Sequence, residues 1–140
     1  MQINDPSFGI MEYDFQWEKQ DKFIFGNKEY LVSIVAQSRT DDEKEISQIQ
    51  RDAYNFYKTH FESMESSCLD CLVTYCREVL EISDCPDSKG ITEYITPTTL
   101  FFALGGKWGI LFESDYDPED GIAAMYSNGE WEAGKQDILI

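Results

Sequence analysis

Apolar and polar positions alternate in the first third of this chain, recur every three to four residues in the middle, and alternate again in the last third. Residues 8–17, FGIMEYDFQW, alternate imperfectly and are rich in aromatics, the composition of a half-buried strand. A second strand over Lys22–Phe25 leads into Gly26-Asn27, a dipeptide whose backbone freedom suits a tight hairpin. Glu29–Ala36 returns as a β-branched, apolar strand suited to a sheet interior. The first third therefore predicts a meander of three antiparallel strands.

The period then changes. Asp42 followed by Glu45 is a variant capping box. From there Ile46, Ile49, Ala53, Phe56, Tyr57, His60 and Met64 fall at helical spacing, with Glu43, Gln50, Lys58 and Glu62 on the polar face. Ser66 or Ser67 is placed to cap a second helical segment, whose stripe is Leu69, Leu72, Val73, Cys76 and Leu80. The pattern fits two helices or one bent helix, ending before Cys85-Pro86 and Lys89-Gly90.

Strand character resumes at Thr98–Ala103, turns at Gly105-Gly106 and continues through Trp108–Phe112. After an acidic loop come Ile122–Tyr126, the hairpin dipeptide Asn128-Gly129, Glu130–Glu132, and a short closing strand over Asp137–Ile140. Strands, then helix, then strands predict one α+β domain over residues 1–140. Its antiparallel sheet has about six to seven strands, with one or two helices on one face, in the order β-β-β-α(-α)-β-β-β(-β). Nine Phe, eight Tyr and three Trp supply large side chains for a two-layer core.

Charge narrows the function classes. The 140 residues carry 27 acidic and 11 basic side chains, a formal charge of −16. Phosphate backbones are held by Lys and Arg, so this surface should repel nucleic acid and anionic membranes and attract a basic partner or a cation. Residues 113–140 alone hold eight acidic groups against one basic. The N-terminal segment lacks a basic region followed by an apolar core, and no run reaches the ~18 apolar residues of a membrane span. The expectation is a cytoplasmic protein with four reduced thiols.

The stretch ESDYDPEDGI, residues 113–122, places five carboxylates in eight residues and closes with a glycine. Counted from Asp115 as an EF-hand loop, the glycine falls one position late and Tyr126 occupies the place of the bidentate glutamate. A looser calcium site on Asp115, Asp117 and Asp120 is one reading; a turn begun by Asp117-Pro118 and closed by Gly121 is the simpler one. Paired-carboxylate hydrolysis would need a cleft that the stretch itself does not define.

Cys68, Cys71, Cys76 and Cys85 open with the spacing of a zinc site or a thiol-redox motif, yet they lie in a segment with helical apolar period, which favours core packing. His60, the one histidine, stands eight residues from Cys68, about 12 Å along a helix at ~1.5 Å per residue, too far for a direct dyad unless the chain folds back between them at Ser66 or Ser67. Ala103-Leu-Gly-Gly-Lys-Trp108 lacks the spacing of a phosphate loop.

The string Trp108-Gly109, Phe112, Asp115, Asp117-Pro118-Glu119 and Gly121, followed by Gly134 and Asp137-Ile138, resembles the closing signature of a family of small bacterial domains of unknown function. Gln50, Ala53-Tyr54 and Phe56 resemble that family's helix. Where this chain has Tyr116 and Asp120, the family pattern often has tryptophan and histidine, so any role of that histidine is absent here. The resemblance implies a cytoplasmic α+β protein and brings no assigned activity. By analogy of class, some small acidic bacterial domains act as immunity proteins against toxins.

The resulting expectation is a non-enzymatic interaction domain, immunity-like or regulatory, that masks a basic protein. Asp115, Asp117, Glu119 and Asp120 would supply steering charge and Tyr116 an aromatic anchor. No cofactor is expected. The alternative is a metal-binding protein, using residues 115–120 for calcium or the Cys68–Cys85 thiols for zinc.

Overall fold

The computed structural model describes residues 1–38 and 45–140. Four strands, β1 (Gln2–Asp5), β2 (Gly9–Asp14), β3 (Gln16–Phe25) and β4 (Lys28–Ala36), precede one helix, α1 (Gln48–Glu78). After it come a 3-10 turn (Ile91–Glu93), then β5 (Ile95–Phe102), β6 (Trp108–Ser114), β7 (Ile122–Ser127), β8 (Glu130–Gly134) and a second 3-10 turn (Gln136–Ile138). The eight strands form one sheet in sequence order. Every neighbouring pair is antiparallel except β4 and β5, which run parallel.

The α+β class agrees with the sequence pattern; several details differ. The single strand expected over 8–17 is two strands, because Phe15 takes φ +65° and reverses the chain between Asp14 and Gln16. β1 and the polar first half of β3 extend the sheet where alternation is weak. The sheet is mixed rather than wholly antiparallel because α1 carries the chain back across it between β4 and β5, and a crossover of that kind delivers a parallel strand. The parallel ladder starts at Thr99, beyond Pro97, which has no N–H to give. The expected terminal strand is the 3-10 turn Gln136–Ile138.

The two strongest hairpin signals hold. Gly26 (φ +59°) with Asn27 (φ +64°), and Asn128 (φ +54°) with Gly129 (φ +82°), form two-residue turns with both central residues left-handed.

Of the two helices or one bent helix expected, the structure has one unbroken helix of 31 residues. It contains neither Gly nor Pro, and at ~1.5 Å per residue it runs about 46 Å. Ser66 and Ser67 lie exposed in its interior and cap nothing. Asp42 and Glu43 lie outside the described residues. The cap is Ser47, whose Oγ accepts from the Gln50 N–H at 3.2 Å while Gln50 Oε1 accepts from the Ser47 N–H at 3.0 Å, a complete capping box.

Gln50 corrects a second expectation: placed on the polar face by periodicity, it is fully buried. Its Nε2 donates to the carbonyls of Gln37 (2.8 Å) and Phe102 (3.0 Å), so one amide joins the helix start to β5 and to the end of β4. His60, expected near the apolar stripe, is exposed and packs its ring against Phe56 at 4.5 Å.

The main core lies between the sheet and α1. Trp17, Phe25, Phe102, Trp108 and Phe112 on the strands and Tyr54, Phe61 and Leu72 on the helix are among its members. A smaller core occupies the opposite face, where Val35, Phe101, Ala103, Leu111 and Ala123 are covered by Ile138 and Leu139. Folding back rather than pairing lets the C-terminal residues bury that patch, which explains why the last apolar residues do not extend the sheet. Gly109 permits this close packing: a Cβ there would stand 2.2 Å from the Ala124 carbonyl and 2.9 Å from Leu139. Among the described residues, no helix is long and apolar enough to cross a membrane.

Candidate functional site

The acidic stretch forms the turn between β6 and β7. Asp117 organises it: its carbonyl accepts from the Gly121 N–H at 2.9 Å and its Oδ1 accepts from the Asp120 N–H at 3.3 Å. Gly121 takes φ +64°, and a Cβ there would meet Gln136 Nε2 at 2.5 Å and the Phe112 carbonyl at 2.8 Å. That amide already donates to Phe112 at 3.0 Å, so the glycine leaves room for the C-terminal segment to lock the turn. Asp120 Oδ2 accepts from Lys135 Nζ at 2.7 Å, and the carboxylate pushes the Lys135 pKa up.

The residues singled out from sequence therefore divide. Asp117 and Asp120 hold the turn together. Asp115 and Glu119 are exposed, and Tyr116 is half-buried. Among the described residues, no group of three or more His, Cys, Asp or Glu side chains is arranged to hold a metal ion.

The turn does not stand alone. The Asp115 N–H donates to the Tyr94 carbonyl at 2.9 Å, and the Tyr116 ring stacks on Tyr94 with centroids 5.2 Å apart and planes 20° apart. Tyr94 follows the 3-10 turn in the loop that leads out of α1 and remains 41% exposed. Burial, with Cys85, Tyr94, Cys76 and Asp84 nearby, pushes the Tyr116 hydroxyl up to about 12. On the helix, burial and then the Asp117 carboxylate raise the Tyr75 hydroxyl, with Asp120 a further contributor.

Three tyrosines thus mark one corner, where the C-terminal end of α1, the 79–94 loop and the 115–121 turn meet. Asp84, Asp87 and Glu93 come from one loop, and Asp115, Asp117, Glu119 and Asp120 from the other. Sequence reasoning missed Tyr94 and the first loop's acids, because nothing local signals that residues 84–94 lie beside residues 115–120.

The thiols form two pairs. Cys71, one helical turn from Cys68, adds to burial in raising the Cys68 thiol, and itself lies at the Ala133 backbone on β8. Cys76, at the end of α1, has Cys85 as its neighbour in the core. Burial raises the pKa of Cys68, Cys71 and Cys76, the last to about 12. His60 and Cys68 lie on the same unbroken helix, so the chain does not fold back to join them.

A cleft of about 580 Å³ lies between α1 and the β3–β4 hairpin, floored by Phe23, Tyr54, Tyr57 and Phe61. Its rim mixes Asp21, Glu62 and Glu65 with Lys22 and Lys58. The ammonium groups of Lys19 and Lys58 sit 5.3 and 5.4 Å from the Tyr54 ring centre, so this aromatic already has its own cations. The cleft has less net charge and more internal pairing than the corner.

No curated protein and no solved structure matches the chain. A family model described as Domain of unknown function (DUF6985) matches residues 7–140, from just before β2 through the C-terminal turn that locks the acidic corner; the chain belongs to that family.

Proposed function

We propose that this protein is a non-enzymatic interaction domain, immunity-like or regulatory, that works in a bacterial cytoplasm by docking a basic protein on the acidic corner. The observation that carries the reading is the convergence of two acidic loops around the Tyr94–Tyr116 stack. Excess negative charge accelerates encounter with a positive surface, and a rigid, partly exposed aromatic pair offers contact area at small entropic cost. Asp117 and Asp120 act as scaffold, while Asp84, Asp115 and Glu119 are exposed and unrestrained by ion pairs among the described residues. These three, with Tyr94 and Tyr116, form the proposed contact set.

The test is quantitative affinity capture with three baits. One is the natural chain, and one is the corner variant Asp84→Asn/Asp115→Asn/Glu119→Gln. The third is a control, Glu12→Gln/Glu18→Gln/Glu29→Gln, which removes the same charge from β2, β3 and β4. The expected result is a basic protein retained by the natural chain and the control at low salt and lost from the corner variant. Equal capture by all three baits would show that this corner does not carry binding, and equal loss from both variants would show that overall charge, and not this corner, governs it.

A further inference from the structure

Cys76 and Cys85 are buried in the main core, at 0% and 4% exposure. Three sets of hydrogen bonds hold their backbones together where α1 unwinds. The Ile82 N–H donates to the Cys76 carbonyl at 3.0 Å, and the Cys85 N–H donates to the Ile82 carbonyl at 3.2 Å. Arg77, next along the helix, donates through Nε and Nη2 to the Cys85 carbonyl at 3.2 and 3.0 Å. The two thiols are neighbours in the same core cluster, Cys85 adds to burial in pushing the Cys76 thiol up, and Cys85 Sγ lies 3.4 Å from the Pro86 carbonyl. Cys68 and Cys71 are a full helical turn or more away along α1.

We propose that Cys76 and Cys85 are a redox modification site, a dithiol that hydrogen peroxide converts to an intramolecular disulfide fastening the 79–94 loop to the end of α1. One sulfur, as thiolate, attacks the peroxide oxygen; the O–O bond breaks, water or hydroxide leaves, and a sulfenic acid remains. The second sulfur, on losing its proton, attacks the sulfenic sulfur, the S–O bond breaks, and a second water departs. Two thiols and one hydrogen peroxide give one disulfide, with two electrons passed to the peroxide. Burial pushes the Cys76 thiol up to about 12, so its thiolate is scarce at neutral pH and the reaction quickens as pH rises. The inference is independent of partner binding, although the fastened loop carries Asp84 and Tyr94.

The experiment treats the folded 140-residue chain with hydrogen peroxide at mildly alkaline pH. Intact mass, alkylation by iodoacetamide in denaturant and peptide mapping follow, before and after dithiothreitol. The same treatment of Cys68→Ser/Cys71→Ser leaves only the proposed pair; Cys85→Ser removes it. Expected for the natural chain are loss of two hydrogens, one linked peptide joining Cys76 to Cys85, two remaining alkylatable thiols and reversal by dithiothreitol. A melting temperature higher by about 5 °C should accompany the link, since it restricts the unfolded chain. The double serine variant should behave alike, and Cys85→Ser should lose the link. A link through Cys68 or Cys71, oxygen addition without loss of hydrogens, or four thiols still alkylatable when a small-molecule dithiol is fully oxidised would overturn the proposal. Peptide mapping of the natural chain decides the matter even if a variant fails to fold.

Discussion

The two ends of α1 are built by different means. At its start, Gln50 makes hydrogen bonds to Ser47, Gln37 and Phe102, and Arg51 Nε lies 2.8 Å from the buried carboxylate of Asp5. Asp5 Oδ2 also accepts from the Ser7 and Phe8 N–H groups at 3.0 Å each. Every named polar atom there is used inside the fold. At the far end the chain leaves the helix through Glu81 at φ +58° and enters a loop of exposed acids over a buried thiol pair. The first end specifies the fold; the second presents groups that the fold does not consume. That difference is the physical reason for proposing the docking site at the C-terminal end.

Substitutions should separate the two ends, beginning with the largest effect. Gln50→Ala removes a buried amide and leaves the Gln37 carbonyl without this partner, so it should cost about 3 kcal/mol in urea unfolding. Arg51→Ala leaves the Asp5 carboxylate buried with only backbone donors and should cost about 2 kcal/mol. Neither should alter partner affinity at temperatures where the variants are folded. A binding loss in the folded variants as large as that of the corner variant would break the comparison.

The thiol end should instead register in alkaline pH. Burial raises Cys76 from 9.0 to about 12, so between those values the native state keeps a proton that the unfolded state has released. Stability is therefore unaffected by this group below pH 9 and falls as pH rises through the window, by about 1.4 kcal/mol per pH unit for one proton. Cys76→Ala should show a shallower decline across that range, measured by urea unfolding at a series of pH values. Equal slopes would mean that the thiol is not held protonated in the fold.

The smallest effect concerns backbone strain. Glu81 and Phe15 are side-chain-bearing residues at positive φ, and Phe15 is 78% exposed. Glu81→Gly and Phe15→Gly should each stabilise by roughly 0.5–1 kcal/mol, provided relief of the left-handed conformation exceeds the entropy glycine adds to the unfolded chain. Thermal melts would reveal the sign directly.

This contrast also marks what was legible in the sequence. Hairpin dipeptides, the helix period and the turn at Asp117-Pro118 act over a few residues, and the fold follows them. The reversal at Phe15 has no turn chemistry to signal it. Gln50 looks solvent-facing because periodicity registers polarity and not hydrogen-bond partners brought from β4 and β5. The corner was half legible: the 115–120 turn stood out by composition, whereas Tyr94 and Asp84 reach it only through tertiary packing.

The central claim is that the corner steers and anchors a basic partner. The most direct measurement is the association rate of the captured partner across a range of salt concentrations, for the natural chain and for Asp84→Asn/Asp115→Asn/Glu119→Gln. The account predicts slower association for the variant at low salt and a flatter salt dependence, with unfolding stability within about 0.5 kcal/mol of the natural chain. Identical rates and identical salt slopes for the two proteins would contradict it.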